Sequence, residues 1–147
     1  MHGRYALLAV VFALALAHAA PKAQVQTRPT KTLDIYYIDV EGGQATLFVS
    51  PSGESLLVDT GFPGERDAGR IMEAVKAAGL TQIDHLLATH YHVDHVGNVV
   101  PLASMIPIKH FYDHGPTAET DREQVAGFQK AYAELHAKAA HTVLKAG

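Results

Sequence analysis

Four potential metal donors fall close together at residues 88–98, ATHYHVDHVGN: His90, His92, Asp94 and His95. Neutral imidazole is the commonest protein ligand for metal ions, and a carboxylate suits the same borderline divalent cations. Four such groups would repel one another if all were charged and would be awkward to bury if neutral. A bound cation removes that conflict. Their number exceeds what one site ordinarily takes from a single loop, so split in pairs they could begin two adjacent sites. Two metals sharing a bridging hydroxide would combine Lewis acidity with a nucleophile at neutral pH. The chain has no cysteine, so any metal site must be built from nitrogen and oxygen ligands. The competing reading is a polar surface loop rich in histidine. The apolar segment before the cluster and Gly97-Asn98 after it favour a site at a strand end.

The elements that would carry the cluster can be read from periodicity. LDIYYIDV (33–40), ATLFV (45–49) and SLLVDTG (55–61) are rich in β-branched, aromatic and aliphatic residues and are separated by EGGQ and SPSGE, which are turn sequences. Three strands with short turns predict an antiparallel meander. In ERDAGRIMEAVKAAGL the residues Ala68, Ile71, Met72, Val75 and Ala78 follow helical spacing, and Gly79 suits the position just past a helix end. IDHLLAT (83–89) is a strand running straight into the histidines. NVVPLASM is a short helix with Asn98 as its N-cap. IKHFYDHG (108–115) is a strand, and residues 118–140 form a helix with Val125, Phe128, Tyr132 and Leu135 on one stripe. HTVLKAG starts a last strand. The alternation of strand and helix in the later part implies parallel pairing with right-handed crossovers. Working groups in such sheets gather beyond the carboxyl ends of the strands. Asp59, the His90–His95 cluster and Asp113-His114 each follow a predicted strand, so three strand ends could converge on one crevice.

These residues resemble a known family. THYHVDHVG is similar to the metal motif of metallo-β-lactamase-fold hydrolases, T-H-x-H-x-D-H-x-G, and LLVDTG is similar to the earlier Asp motif of that family. Within the family, YYIDVEGGQATLFV is similar to the DVGQGDA segment of the competence-related branch, with Glu41-Gly42 inserted and Gln44-Ala45-Thr46 in place of Gln-Gly-Asp. The resemblance implies an α/β fold: one half of an αββα sandwich, a mixed sheet with flanking helices. It implies that His90 and His92 bind a first metal and Asp94 and His95 a second, zinc being the expected metal, two per site in the complete domain, with iron for redox chemistry as the lesser alternative. Asp94 would also act catalytically by orienting the attacking hydroxide. Asp59 would brace the metal loop by hydrogen bonding rather than ligate; its plainer alternative is an Asp closing a strand-to-turn junction. The family draws its remaining ligands from a second half, beyond the motifs present here. Residues 32–147 are therefore expected to be the N-terminal half of such a domain. Of the local residues, His114 is the best candidate to line the site or touch substrate, followed by Asp113. His85 and His110 are expected to be structural, His136 and His141 to lie on the surface, and Tyr91 and Val93 to pack the loop.

The N-terminus completes the reading. Arg4, the apolar run YALLAVVFALALA and the Ala17-His18-Ala19 pattern predict a secretory signal peptide over residues 1–19, the competing reading being an uncleaved membrane anchor, for which the run is somewhat short; the polar, proline-containing residues 20–31 predict a linker. The expected product is a secreted or periplasmic protein with no stable membrane anchor after cleavage. A net charge of −3 gives no sign of nucleic-acid binding through a basic surface. The function expected is an exported, zinc-dependent hydrolase that uses a metal-bound hydroxide on a small ester, amide, lactone or phosphoester. The alternative is a non-catalytic fragment with an incomplete metal site, which would expose a sheet face and associate through it.

Overall fold

The computed structural model describes residues 32–117 and 123–146. The expected signal peptide and linker, the first residues of the expected last helix (118–122) and the side chain of Val125 lie outside the described residues. Six strands, β1 (Asp34–Tyr37), β2 (Thr46–Val49), β3 (Ser55–Val58), β4 (Ile83–Leu87), β5 (Ile108–Asp113) and β6 (Ala140–Val143), form one sheet in chain order. The first three pair antiparallel, as their short turns require. β4, β5 and β6 then add in parallel. The parallel steps are made possible by the intervening helices α1 (Glu65–Ala77), α2 (Val93–Val96), α3 (Val99–Met105) and α4 (Glu123–His136). The short α2, one turn inside the histidine loop, was not expected from the sequence.

The helix ends follow their local chemistry. α1 carries Glu65 and Asp67 in its first turn and Lys76 in its last, each complementing the helix dipole. It stops at Gly79, which takes φ 68°. The Gly79 amide bonds the Lys76 carbonyl and the Leu80 amide bonds the Val75 carbonyl, both at 3.0 Å. That is the paired arrangement that ends a helix on a left-handed glycine.

One face of the sheet makes the core. Leu47, Leu57, Leu86 and Phe111 lie in register across four strands. They pack with Ile71 and Val75 of α1, Val99 and Leu102 of α3 and Tyr132 of α4. Each such aliphatic side chain, removed from water, contributes about 1.5–3 kcal/mol. The opposite face carries Ile35, Tyr37, Phe48, Leu56, Leu87 and, past β6, Leu144. It is open: Tyr37 is 83% exposed, Leu144 46% and Ile35 41%. A polar seam crosses it. Glu54 Oε1 meets His85 Nε2 at 2.8 Å, Tyr112 Oη lies 3.2 Å from Nδ1 of both His85 and His110, and His110 Nε2 meets Thr142 Oγ1 at 2.8 Å. His85 and His110 are thus engaged on the open face, away from the loop that follows β4. No helix among the described residues is long and apolar enough to cross a membrane.

Candidate metal centre

The histidine loop leaves the carboxyl end of β4 and is seated from below by Asp59, the residue after β3. Asp59 takes a left-handed backbone conformation, φ 57°, which is uncommon away from glycine. Its side chain is buried, and it is spent on the loop. Oδ1 accepts from the Thr89 amide at 2.8 Å. Oδ2 accepts from the Thr89 hydroxyl at 2.6 Å and from His95 Nδ1 at 2.8 Å. A carboxylate only accepts, so His95 carries its proton on Nδ1 and presents the Nε2 lone pair. The Thr89 hydroxyl proton is committed to Asp59. Its oxygen therefore accepts from His90 Nδ1 at 3.1 Å, which leaves Nε2 of His90 as the second outward lone pair. A partner on the far nitrogen that fixes tautomer and ring orientation is the usual support of a metal-binding histidine.

The three imidazoles crowd together. The His90 ring centroid lies 4.0 Å from that of His95 and 4.6 Å from that of His92. Burial, then the neighbouring His95 and His92, hold the His90 imidazole below its ordinary pKa, in the neutral form that binds metals. Asp94 sits on α2, its Oδ2 3.8 Å from His95 Nε2. As the side chains stand, no three His, Asp or Glu among the described residues are disposed to hold one cation jointly. The donors are gathered, the tautomers of His90 and His95 are set, and their chemistry fits a borderline divalent ion; a closed coordination shell is not formed by these residues alone.

The backbone of the loop is gripped by two others. From the β1–β2 loop, the Gln44 amide donates to the Asp94 carbonyl at 3.3 Å. From the β3–α1 loop, the Thr60 amide donates to the His95 carbonyl at 2.6 Å, and the Gly61 carbonyl accepts from the Gly97 amide at 3.2 Å. The approach is close enough that a Cβ on Gly43 would stand 1.7 Å from the Asp94 carbonyl oxygen, and one on Gly97 2.4 Å from the Pro63 nitrogen. Asn98 is fully buried and does not cap α3 with its side chain. It donates instead to the Thr60 and Phe62 carbonyls, at 3.0 and 2.6 Å, and accepts from the Gly64 amide at 3.1 Å.

The profile of the metallo-beta-lactamase superfamily matches residues 38–139, from the end of β1 to just past α4. The chain belongs to the metallo-beta-lactamase superfamily. It is 37% identical over 78 residues to a ribonuclease Z of Methanopyrus kandleri, a match that spans 51% of this chain and 26% of that protein. It is 34% identical over 84 residues to an atrochrysone carboxyl ACP thioesterase of Pseudocercospora fijiensis, spanning 57% of this chain and 24% of that one. The chain thus covers about a quarter of the length of these relatives. Among solved structures, a subclass B3 metallo-beta-lactamase from a soil metagenome library superimposes with a TM-score of 0.44 at 28% identity, over 53% of this chain and 29% of that one.

Within this superfamily member, Asp59 and the His90–His95 loop come together, whereas Asp113 and His114 diverge from them. Asp113 ends β5 on the buried face, where its Oδ2 meets His141 Nε2 at 2.7 Å and its Oδ1 accepts from the Gly115 amide at 2.8 Å. His114 is exposed and its ring lies 4.9 Å from that of Tyr91. Tyr91 points away from the histidines into the helix layer, its hydroxyl donating to the Gly115 carbonyl at 2.7 Å. Burial and then Asp113 raise its pKa well above the ordinary phenol value, so it stays a donor. His136 and His141, expected on the surface, are half-buried: their rings stack on each other at 3.9 Å and His141 bonds the Asp113 carboxylate, because β6 pairs with β5 in the register that sets His141 beside Phe111. Sequence reasoning also passed over Thr89, the relay between Asp59 and His90. The Thr that opens the T-H-x-H pattern was the available signal.

Proposed function

We propose that this protein acts as a metal-dependent hydrolase of its superfamily, with zinc as the metal. The observation that carries the reading is the Asp59–Thr89 support, which turns Nε2 of His90 and of His95 outward from one buried carboxylate. His90, His92, Asp94 and His95 would hold the metal, with further ligands from outside this set. Bound cations would supply Lewis acidity and a nucleophile at neutral pH. The chain's own residues do the rest. Asp59 and Thr89 keep protons on the inner nitrogens, so that the outer ones stay available. Asp94, at the start of α2 and 37% exposed, stands beside His95 as the carboxylate able to orient a reacting group. Gln44 and Gly43 fix the Asp94 backbone from behind.

The relatives named above include a ribonuclease and a thioesterase. They support hydrolysis as the class of reaction and leave the bond undefined; the substrate we propose is a small-molecule ester, amide, lactone or phosphoester. The N-terminal apolar run supports export to the periplasm or beyond. A second reading, a non-catalytic chain that holds a cation weakly, is favoured by the absence of three jointly disposed donors among the described residues. One experiment separates the two. The protein from its native source is weighed by non-denaturing mass spectrometry, its metal identified by elemental analysis, and its turnover of lactam, lactone, thioester and phosphodiester probes measured beside His92→Ala and Asp94→Ala. Two zinc ions and turnover lost in both variants are expected. Turnover that survives in both, or a protein without metal, overturns the proposal.

A further inference from the structure

Asp67 is a buried carboxylate with no part in the chemistry above. It lies in the first turn of α1, 2% exposed, on the same stripe as Ile71 and Val75. Four hydrogen bonds converge on it. The Glu41 amide donates to both oxygens, at 3.1 and 3.0 Å, the Phe62 amide to Oδ2 at 3.0 Å, and Arg66 Nη1 to Oδ1 at 2.6 Å. Glu41 belongs to the β1–β2 loop and Phe62 to the β3–α1 loop. These are the two loops that grip the histidine loop through Gln44, Thr60 and Gly61, and the Gly61 amide joins them to each other through the Gln44 carbonyl at 2.8 Å. Gly61 also lies hard against Asp67: a Cβ there would stand 2.9 Å from its Oδ2.

We propose that Asp67 is a positioning residue of the metal centre: by gathering both gripping loops it sets the backbone of Asp94 and His95, and so the cation affinity, without touching a cation. The inference rests on the metal-binding reading of that loop. A carboxylate is required because every group facing it is a donor. An amide in its place would turn two donors of its own toward this ring of N–H groups. The loops would then part at the point where they hold Asp94 and His95.

A matched control separates this role from a purely structural one. Asp84, at the opposite end of the sheet, accepts from the Ser55 amide and hydroxyl, both at 2.9 Å, and from Gln82 Nε2 at 2.6 Å. Asp67→Asn and Asp84→Asn are compared with wild type by urea melts, by titration with Co2+ followed in its visible absorption, and by amide hydrogen exchange without metal. Both variants lose stability. Asp67→Asn is expected to bind Co2+ about tenfold more weakly, the low end of what indirect supports of a metal contribute, and to exchange faster at Thr60, Gly61 and Gly97; Asp84→Asn changes neither. Unchanged exchange at those amides overturns the proposal, as does Co2+ affinity that falls equally in both variants. Failure of wild type to take up Co2+ would count against the metal reading instead, and the exchange comparison would then decide the loop-gathering role alone. Should Asp67→Asn not fold, Arg66→Leu removes one of the four bonds and is expected to shift both readouts in the same direction; no shift overturns the proposal.

Discussion

Gly42 and Gly43 are neighbours with nearly the same backbone, φ 74° and 66°, and differ in what stands beyond them. Nothing lies within 4 Å of a Cβ on Gly42. One on Gly43 would fall 1.7 Å from the Asp94 carbonyl oxygen and 2.9 Å from Asp94 Cβ. Alanine at either position bears the left-handed penalty of about 1–2 kcal/mol, partly offset by about 0.4–1 kcal/mol from a stiffer unfolded chain. Gly42→Ala should therefore cost about 1 kcal/mol. Gly43→Ala must in addition push a backbone carbonyl away by more than about 1 Å, an overpacking of a further 1–3 kcal/mol or so. With a urea slope of about 1–2 kcal/mol per M for a domain of this size, the two midpoints should separate by roughly 0.5 M or more. The carbonyl displaced is that of Asp94, so Gly43→Ala should also weaken Co2+ binding while Gly42→Ala leaves it unchanged. Coincident melts for the two variants would refute the claim that the β1–β2 loop abuts the metal loop.

Other consequences can be checked independently. Asp59→Asn takes away the acceptor that fixes His95 and should weaken metal binding by about 10–100-fold; unchanged affinity in a Co2+ titration would remove Asp59 from the site. Asn98→Asp would be neutral if the side chain were an N-cap, but it deletes donors to the Thr60 and Phe62 carbonyls and should cost about 2 kcal/mol or more in a urea melt. Asp67 and Asp84 are both held below the ordinary carboxyl pKa: burial acts to raise them, and the bonds from Glu41, Arg66 and Phe62 to one and from Ser55 and Gln82 to the other outweigh it. Folded, they bind protons less readily than unfolded, so their stabilisation is full above the unfolded value of about 3.9. It is lost as pH falls through their lower folded values. Melts from pH 7 to pH 2 should show that loss, and it should be shallower in each Asn variant; parallel curves would contradict the assignment. Ile35→Lys and Leu144→Lys, on the open sheet face, are expected to reduce self-association in sedimentation velocity, and no change would argue against association through that face.

The strands were legible because β-branched, aromatic and aliphatic runs such as DIYY and SLLV end at glycine-bearing turns, and α1 because its stripe and Gly79 agree. α2 was not, since one turn inside a polar loop has no period to detect. Asp59 and the histidines could be placed at strand ends from the sequence, but the tautomers could not, because they depend on Thr89 being bonded in two directions at once. Asn98 was misjudged for a similar reason: its side chain satisfies a loop far away in sequence instead of its own helix. Asp67 did leave a trace. It shares the spacing of Ile71 and Val75, and an acid on an apolar stripe is a buried polar group in need of partners. Asp113 ends a strand just as Asp59 does. Yet the side-chain alternation along β5 turns it toward the buried face, where His141, paired with Phe111 on the next strand, bonds its Oδ2.

The order of the strands bears on how the chain comes to be folded. Each strand pairs with its immediate predecessor in sequence, so the sheet can grow in the direction of synthesis, every new strand finding its partner already in place. The two hairpin turns cost little entropy to close, and in the parallel steps that follow no strand has to wait for a partner later in the chain. The residues that seat the histidines, Gly43, Gln44, Asp59, Thr60, Gly61 and Asp67, all precede them in the chain. A nascent chain that has emerged as far as Asn98 therefore already holds the parts of the cradle, and the cation-binding loop is added to a frame that is waiting for it.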